Sequence, residues 1–137
     1  LIETLIQRAR SYVYTTALPP AVAEATRASL RLVKAESWRR ERLQQLISRF
    51  RDAVRETGLP LMDSRTPIQP ILAATPEQAL AWSGRLEEQG ILVSAIRPPT
   101  VPEGGARLRV TLSAAHSDAH LDRLLESLAG LQHGGWQ

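Results

Sequence analysis

Apolar positions set the first half of the chain at helical spacing. Leu5, Ile6 and Ala9 recur at three- and four-residue intervals, so residues 1–9 predict a short amphipathic helix. Tyr12, Val13 and Tyr14 then read as a brief extended stretch ending in an exposed turn at Thr15 and Thr16. Pro19 and Pro20 supply a helix start, because the amide hydrogen that proline lacks would find no partner in a first turn. Val22, Ala25, Ser29 or Leu30, and Val33 carry that helix over residues 21–34. Ser37 offers an N-cap or a break, and Leu43, Leu46, Ile47, Phe50 and Val54 form the stripe of a second long helix that ends near Gly58, Leu59 and Pro60.

The period then shortens towards two. After a polar turn at residues 63–66, residues 68–73 predict a strand whose Pro70, unable to donate to a ladder, belongs at an edge or a bulge. Thr75 caps a helix with Pro76 at its first position and Glu77 and Gln78 in its first turn, and Leu80, Trp82 and Leu86 lead it to Gly90. Residues 91–96 form a β-rich run, residues 97–105 a proline- and glycine-rich loop, and residues 107–113 alternate Leu108, Val110 and Leu112 inward with Arg107, Arg109 and Thr111 outward. These two runs are expected to pair antiparallel. A closing helix starts from a cap at Ser117 or Asp118 and runs through Leu121, Leu124, Leu125 and Leu128, leaving residues 130–137 as a loose tail.

A right-handed crossover from the first strand to the second leaves a slot that the third fills antiparallel to both. The expected class is therefore α+β, a small antiparallel or mixed three-stranded sheet covered by helices. Residues 1–16 form a lead-in, 17–58 a helical part, 66–131 the sheet part and 132–137 the tail.

Length and composition narrow the functions available. The 137 residues suit one domain. With no cysteine there is neither a disulfide framework nor a thiolate nucleophile. No apolar run approaches the ~20 residues of a membrane span, and no leader pattern precedes the first helix, so the expectation is a cytoplasmic protein without a membrane partner. The chain opens inside a helical pattern and without Met, which points to a fragment whose native start lies upstream. Seventeen basic against fourteen acidic residues leave a formal charge of +3. Arg39, Arg40, Arg42, Arg49, Arg51 and Arg55 are interleaved with Glu36, Glu41, Asp52 and Glu56 at helical spacings that pair charges, which argues against a nucleic-acid surface.

Several site types drop out. The Gly104-Gly105 pair precedes a strand instead of opening a helix, so no phosphate loop is present. His116, His120 and His133 lack the spacing of a metal site and read as surface or capping residues. Lys34, the single lysine, sits beside Glu36 on a polar helix side and reads as solvated. The segment from Ile96 to Arg109 stands out: Pro98, Pro99 and Pro102 stiffen a loop that returns into a strand presenting two guanidinium groups. A planar bidentate donor beside a rigid loop suits a carboxylate ligand. The same alternation would arise on any half-exposed strand, so spacing leaves both readings open.

The stretch from Tyr12 to Pro20, the Ile68-Gln69-Pro70-Ile71 run, and residues 97–109 followed by residues 110–116 resemble the carboxy-terminal part of the α-oxoamine synthases, pyridoxal-phosphate enzymes of fold type I. The likeness covers nearly the whole chain. Val101-Pro102, Gly104, Arg107 and Arg109 match the core that the family shares, and Arg97-Pro98-Pro99-Thr100 resembles the branch that forms 8-amino-7-oxononanoate in biotin biosynthesis.

The resemblance implies a carboxy-terminal small domain of a homodimeric acyltransferase. Its cofactor would be pyridoxal phosphate, and it would condense L-alanine with a pimeloyl thioester, on coenzyme A or a carrier protein, with loss of carbon dioxide. By residue it implies that Arg109 clamps the amino-acid carboxylate and that Thr100 contacts substrate. Arg97 either attracts the distal carboxylate of the pimeloyl chain or is structural, and Thr15 and Thr16 reach the cofactor phosphate across the dimer interface. The family's cofactor-bonding lysine, ring-stacking histidine and pyridine-pairing aspartate have no counterpart here, so the chain alone is expected to hold no cofactor and to be inactive. Two other readings remain: another α-oxoamine synthase of the aminoketobutyrate ligase kind, and a stand-alone carboxylate-binding regulatory module.

Overall fold

The computed structural model describes residues 1–132. It divides into two compact units, Leu1–Ser37 and the chain from Trp38 on.

The first unit holds α1 (Ile2–Arg8) and α2 (Pro20–Ala35). Glu3 in the first turn of α1 and Arg8 in its last favour the helix dipole at both ends. Pro20 occupies the first turn of α2, as the double proline predicts, and Glu24 accepts hydrogen bonds from Arg27 at 3.0 Å and Arg31 at 3.3 Å. Neither helix has a buried residue. The stretch expected to be extended at Tyr12–Tyr14 is a run of turns: the amides of Tyr12 and Val13 donate to the Ala9 carbonyl at 2.8 and 2.9 Å, and Thr15 donates to Tyr12 at 2.8 Å. Among the described residues of this unit there is no strand to take those amides, and they close locally.

The second unit contains α3 (Trp38–Thr57), β1 (Ile68–Leu72), α4 (Pro76–Glu88), β2 (Ser94–Ile96), β3 (Arg107–Thr111) and α5 (Asp118–Gln132). α3 buries the predicted stripe of Leu46, Ile47, Phe50 and Val54 and is followed by Gly58 at φ 75°. α4 begins as expected: the Thr75 hydroxyl accepts from the Gln78 amide at 3.1 Å, and the Gln78 side chain accepts from the Ala74 amide at 2.6 Å. Gly90 ends it at φ 74°, with the Ile91 amide returning to the Leu86 carbonyl at 2.9 Å.

The sheet order is β1-β3-β2, with β3 antiparallel to both neighbours, which is the layout the crossover argument predicts. Pro70 lies in an edge strand whose other side meets the isolated Leu61↔Ile71 bridge. Ile71, Leu108 and Val110 turn to one face and join Phe50, Leu46, Trp82, Leu86, Leu121 and Leu128 in a core drawn from α3, α4 and α5. The fold is α+β, a three-stranded antiparallel sheet covered by helices.

Two boundaries depart from expectation. β2 covers only Ser94–Ile96 because Val93 is already held, its carbonyl accepting from the Ser83 hydroxyl at 2.6 Å. α5 runs past Gly130 to Gln132, because Leu131 is buried and the Gly130 carbonyl accepts from Arg85 at 3.1 Å. Residues 130–132 of the expected loose tail are therefore helical, and the rest of it, with His133, lies outside the described residues. Among the described residues no helix is long and apolar enough to cross a membrane.

Candidate functional site on the uncovered face of the sheet

Period-two alternation sends Ile68, Pro70 and Leu72 of β1, Ser94 and Ile96 of β2, and Arg107, Arg109 and Thr111 of β3 to the face away from the core. On β1 this is the more apolar side. Ile68 is 44% exposed, while Gln69 is buried completely. The Gln69 side-chain oxygen accepts from Arg51 at 2.8 Å, and its amide donates to the carbonyls of Ser64 at 3.2 Å and Thr66 at 2.6 Å. Arg51 continues to the Met62 carbonyl at 3.1 Å and the Asp63 carboxylate at 3.1 Å. The sequence reading did not find this knot; the signal available was a glutamine sharing the face of Ile71.

Arg109 stands opposite Pro70 on one side and Ser94 on the other. It is exposed, and among the described residues its side chain has no hydrogen-bond or ion-pair partner, so its guanidinium N–H donors are left to solvent. Arg107 differs. It is half-buried, its Nε donates to the Gly105 carbonyl at 2.7 Å, and its Nη1 lies 3.3 Å from Met62 Sδ.

Arg97 and Thr100 are exposed in the loop joining β2 to β3, where the Thr100 amide donates to the Arg97 carbonyl at 3.0 Å and the Pro98-Pro99 bond is cis. Arg97 follows Ile96, the register partner of Arg107, and comes three residues after Ser94, the partner of Arg109. At strand spacing that separates the Arg97 and Arg109 backbones by roughly 10 Å along one hairpin. Thr15 and Thr16 lie in the first unit on an exposed turn; Thr15 Oγ1 donates to the Ser11 carbonyl at 3.4 Å.

Taken unit by unit, the two exposed threonine hydroxyls of the first suit a phosphate, and the exposed guanidinium of Arg109 in the second suits a carboxylate, the two anionic groups that a pyridoxal-phosphate enzyme acting on an amino acid has to hold. These residues do not supply the cofactor's covalent anchor, since Lys34 is exposed on α2. Among the described residues no cluster of His, Cys, Asp and Glu could hold a metal. His116 and His120 serve as caps, their Nδ1 atoms accepting from the Ser113 and Ser117 amides at 3.2 and 3.3 Å. Arginines of α3 pair both across elements and along the helix. Arg42 and Arg49 reach Asp118 at 3.0 Å each, Arg49 also reaches Asp122, and the Arg55–Asp52 pair at 3.2 Å is of the kind that helical spacing predicts.

The model of the aminotransferase class I and II family matches residues 1–128. The 8-amino-7-oxononanoate synthase of Thioalkalivibrio sulfidiphilus is 65% identical over 128 residues, 93% of this chain and 33% of that protein. A solved 8-amino-7-oxononanoate synthase from Francisella tularensis matches at a TM-score of 0.79 and 32% identity over 96% of this chain and 38% of its own. The Sphingomonas wittichii serine palmitoyltransferase matches at a TM-score of 0.85 and 29% identity over 96% of this chain and 34% of its own. The chain thus spans about a third of the length of the relatives it matches. With the family match running from the first helix through Leu128 of the last, this chain belongs to the aminotransferase class I and II family.

Proposed function

We propose that this chain forms the substrate-binding third of a pyridoxal-phosphate-dependent acyltransferase of the 8-amino-7-oxononanoate synthase kind, which joins L-alanine to a pimeloyl thioester with loss of carbon dioxide. The observation that carries the reading is the free guanidinium of Arg109 on the uncovered sheet face, in a chain 65% identical to a synthase of that name. When bound, the cofactor supplies the electron sink for bond breaking at the alanine Cα. Arg109 holds the alanine carboxylate through two parallel N–H donors, which fixes the angle at which the Cα bonds meet the cofactor ring. The loop stiffened by Pro98, Pro99 and Pro102 presents Thr100 to the substrate and Arg97 to the distal carboxylate of the pimeloyl chain. Thr15 and Thr16 donate to the cofactor phosphate.

Because Lys34 is exposed on α2, the amine that anchors the cofactor is expected from outside this chain, and the chain alone is inactive. The working enzyme is a cytoplasmic homodimer in which Thr15 and Thr16 serve the partner's cofactor. A chimera in which this chain replaces the matching third of the Thioalkalivibrio sulfidiphilus enzyme should form product from L-alanine and pimeloyl-coenzyme A. In that chimera Arg109→Ala should lower kcat/KM for alanine about 100-fold, the loss of a charge-assisted bidentate pair worth about 3 kcal/mol. A chimera that binds pyridoxal phosphate yet accepts a different amino acid, or an Arg109→Ala variant with unchanged alanine kinetics, would overturn the reading.

A further inference from the structure

Arg107 and Arg109 project from the same face of β3, yet their surroundings give them different tasks. The Arg107 guanidinium lies across the return of the loop, donating from Nε to the Gly105 carbonyl at 2.7 Å while Nη1 sits 3.3 Å from Met62 Sδ. Gly105 makes room for this: a Cβ there would stand 2.9 Å from the Pro102 carbonyl oxygen and 3.0 Å from Arg107 Nη2. The Gly105 amide also donates to that Pro102 carbonyl at 2.9 Å, so backbone and guanidinium close the same turn.

Met62 is a fixed anchor. Its amide donates to the Pro70 carbonyl at 3.0 Å, and its carbonyl accepts from Arg51 at 3.1 Å. Arg51 in turn holds the fully buried Gln69 at 2.8 Å. A continuous path of contacts thus leads from Gln69 in the core through Arg51, Met62 and Arg107 to the loop that carries Arg97 and Thr100.

We propose that Arg107 is a positioning residue: its guanidinium fastens residues 97–106 to Met62 and so sets where Thr100 and Arg97 stand relative to Arg109. Lysine cannot replace it, because a single ammonium lacks the planar arrangement that reaches the Gly105 carbonyl from Nε and the sulfur from Nη1 together. The consequence for catalysis rests on the function proposed above; the fastening itself does not.

Two measurements test this separately. In the 137-residue chain, hydrogen exchange at the Thr100 and Gly105 amides should rise about tenfold in Arg107→Ala and equally in Arg107→Lys, with the ladder amides of β3 unchanged. Met62→Leu, which keeps the volume and removes the acceptor, should move the same two amides in the same direction by less. Unchanged exchange at those amides, rescue by lysine, or a uniform rise across the sheet would overturn the proposal. In the chimera, both Arg107 variants should raise KM for the pimeloyl thioester about tenfold while KM for L-alanine stays within about twofold. A rise in the alanine KM instead would make Arg107 a second carboxylate ligand and end the positioning role. A chimera inactive with Arg107 intact would count against the synthase reading, and the exchange result would still decide the fastening.

Discussion

Guanidinium groups fall into two kinds by the company they keep. Arg42, Arg49, Arg51 and Arg107 are held by acceptors within the second unit, whereas Arg109 is left to the solvent face. The held ones matter to stability, and Asp118 shows how. The hydrogen bond from Arg42 is the main reason its carboxyl titrates below the usual aspartate range; desolvation opposes this, and the charges of Arg42 and Arg49 add to it. A folded-state pKa below the unfolded one gives stability that is complete above the unfolded value of ~3.9 and is lost as pH falls through the folded value. Asp118→Asn should therefore unfold at lower urea than the parent at pH 7, with the difference shrinking as pH falls from the unfolded value through the lower folded one. An offset that stays constant with pH would show that the pair contributes nothing through its charge. Such partnerships are hard to read in a sequence, because Arg49 and Asp118 are 69 residues apart. A local spacing rule finds only neighbours like Asp52 and Arg55. The exposed position of Arg109 was legible from the alternation along its strand, but the different fate of Arg107 depends on Met62, 45 residues away.

Element boundaries were legible where their cause is local. Pro20, Thr75 and Gly90 mark helix ends through contacts spanning three to five residues, and each is found where the sequence places it. Thr75→Ala should cost about 1 kcal/mol of unfolding free energy, and Thr75→Ser should restore most of it, since only the hydroxyl that accepts from Gln78 is at issue. The same hydroxyl, after the residue's own backbone amide, helps hold the Glu77 carboxyl below its usual range, so Thr75→Ala should also raise the Glu77 titration followed by NMR. Equal stability of the alanine and serine variants would remove the cap from the account. Boundaries with distant causes went astray. β2 starts late because the Val93 carbonyl belongs to Ser83, α5 ends late because Leu131 is buried, and the aromatic run at residues 12–14 has β propensity without a strand to pair with.

At the scale of the molecule, chain order and handedness were enough to give the strand order, because few topologies satisfy a right-handed crossover with a hairpin after it. What the pattern did not reveal is how unevenly burial is distributed. Every buried core residue comes from Leu46 onward, while α2, with an equally regular stripe, buries nothing. A stripe records that a face is to be covered and does not say by what. Two substitutions separate these cases. Phe50→Ala, at a position with no exposure, should cost about 3–5 kcal/mol in denaturant unfolding through lost contact and cavity. Leu30→Ala on α2, where 56% of the residue is exposed, should stay within about 0.5 kcal/mol. In the chimera the second value should rise to about 2 kcal/mol or more if the rest of the enzyme covers that stripe, as a family three times this chain's length allows. If Leu30→Ala stays neutral there too, the stripe of α2 is a surface in the chimera, and its apolar residues answer to something other than packing.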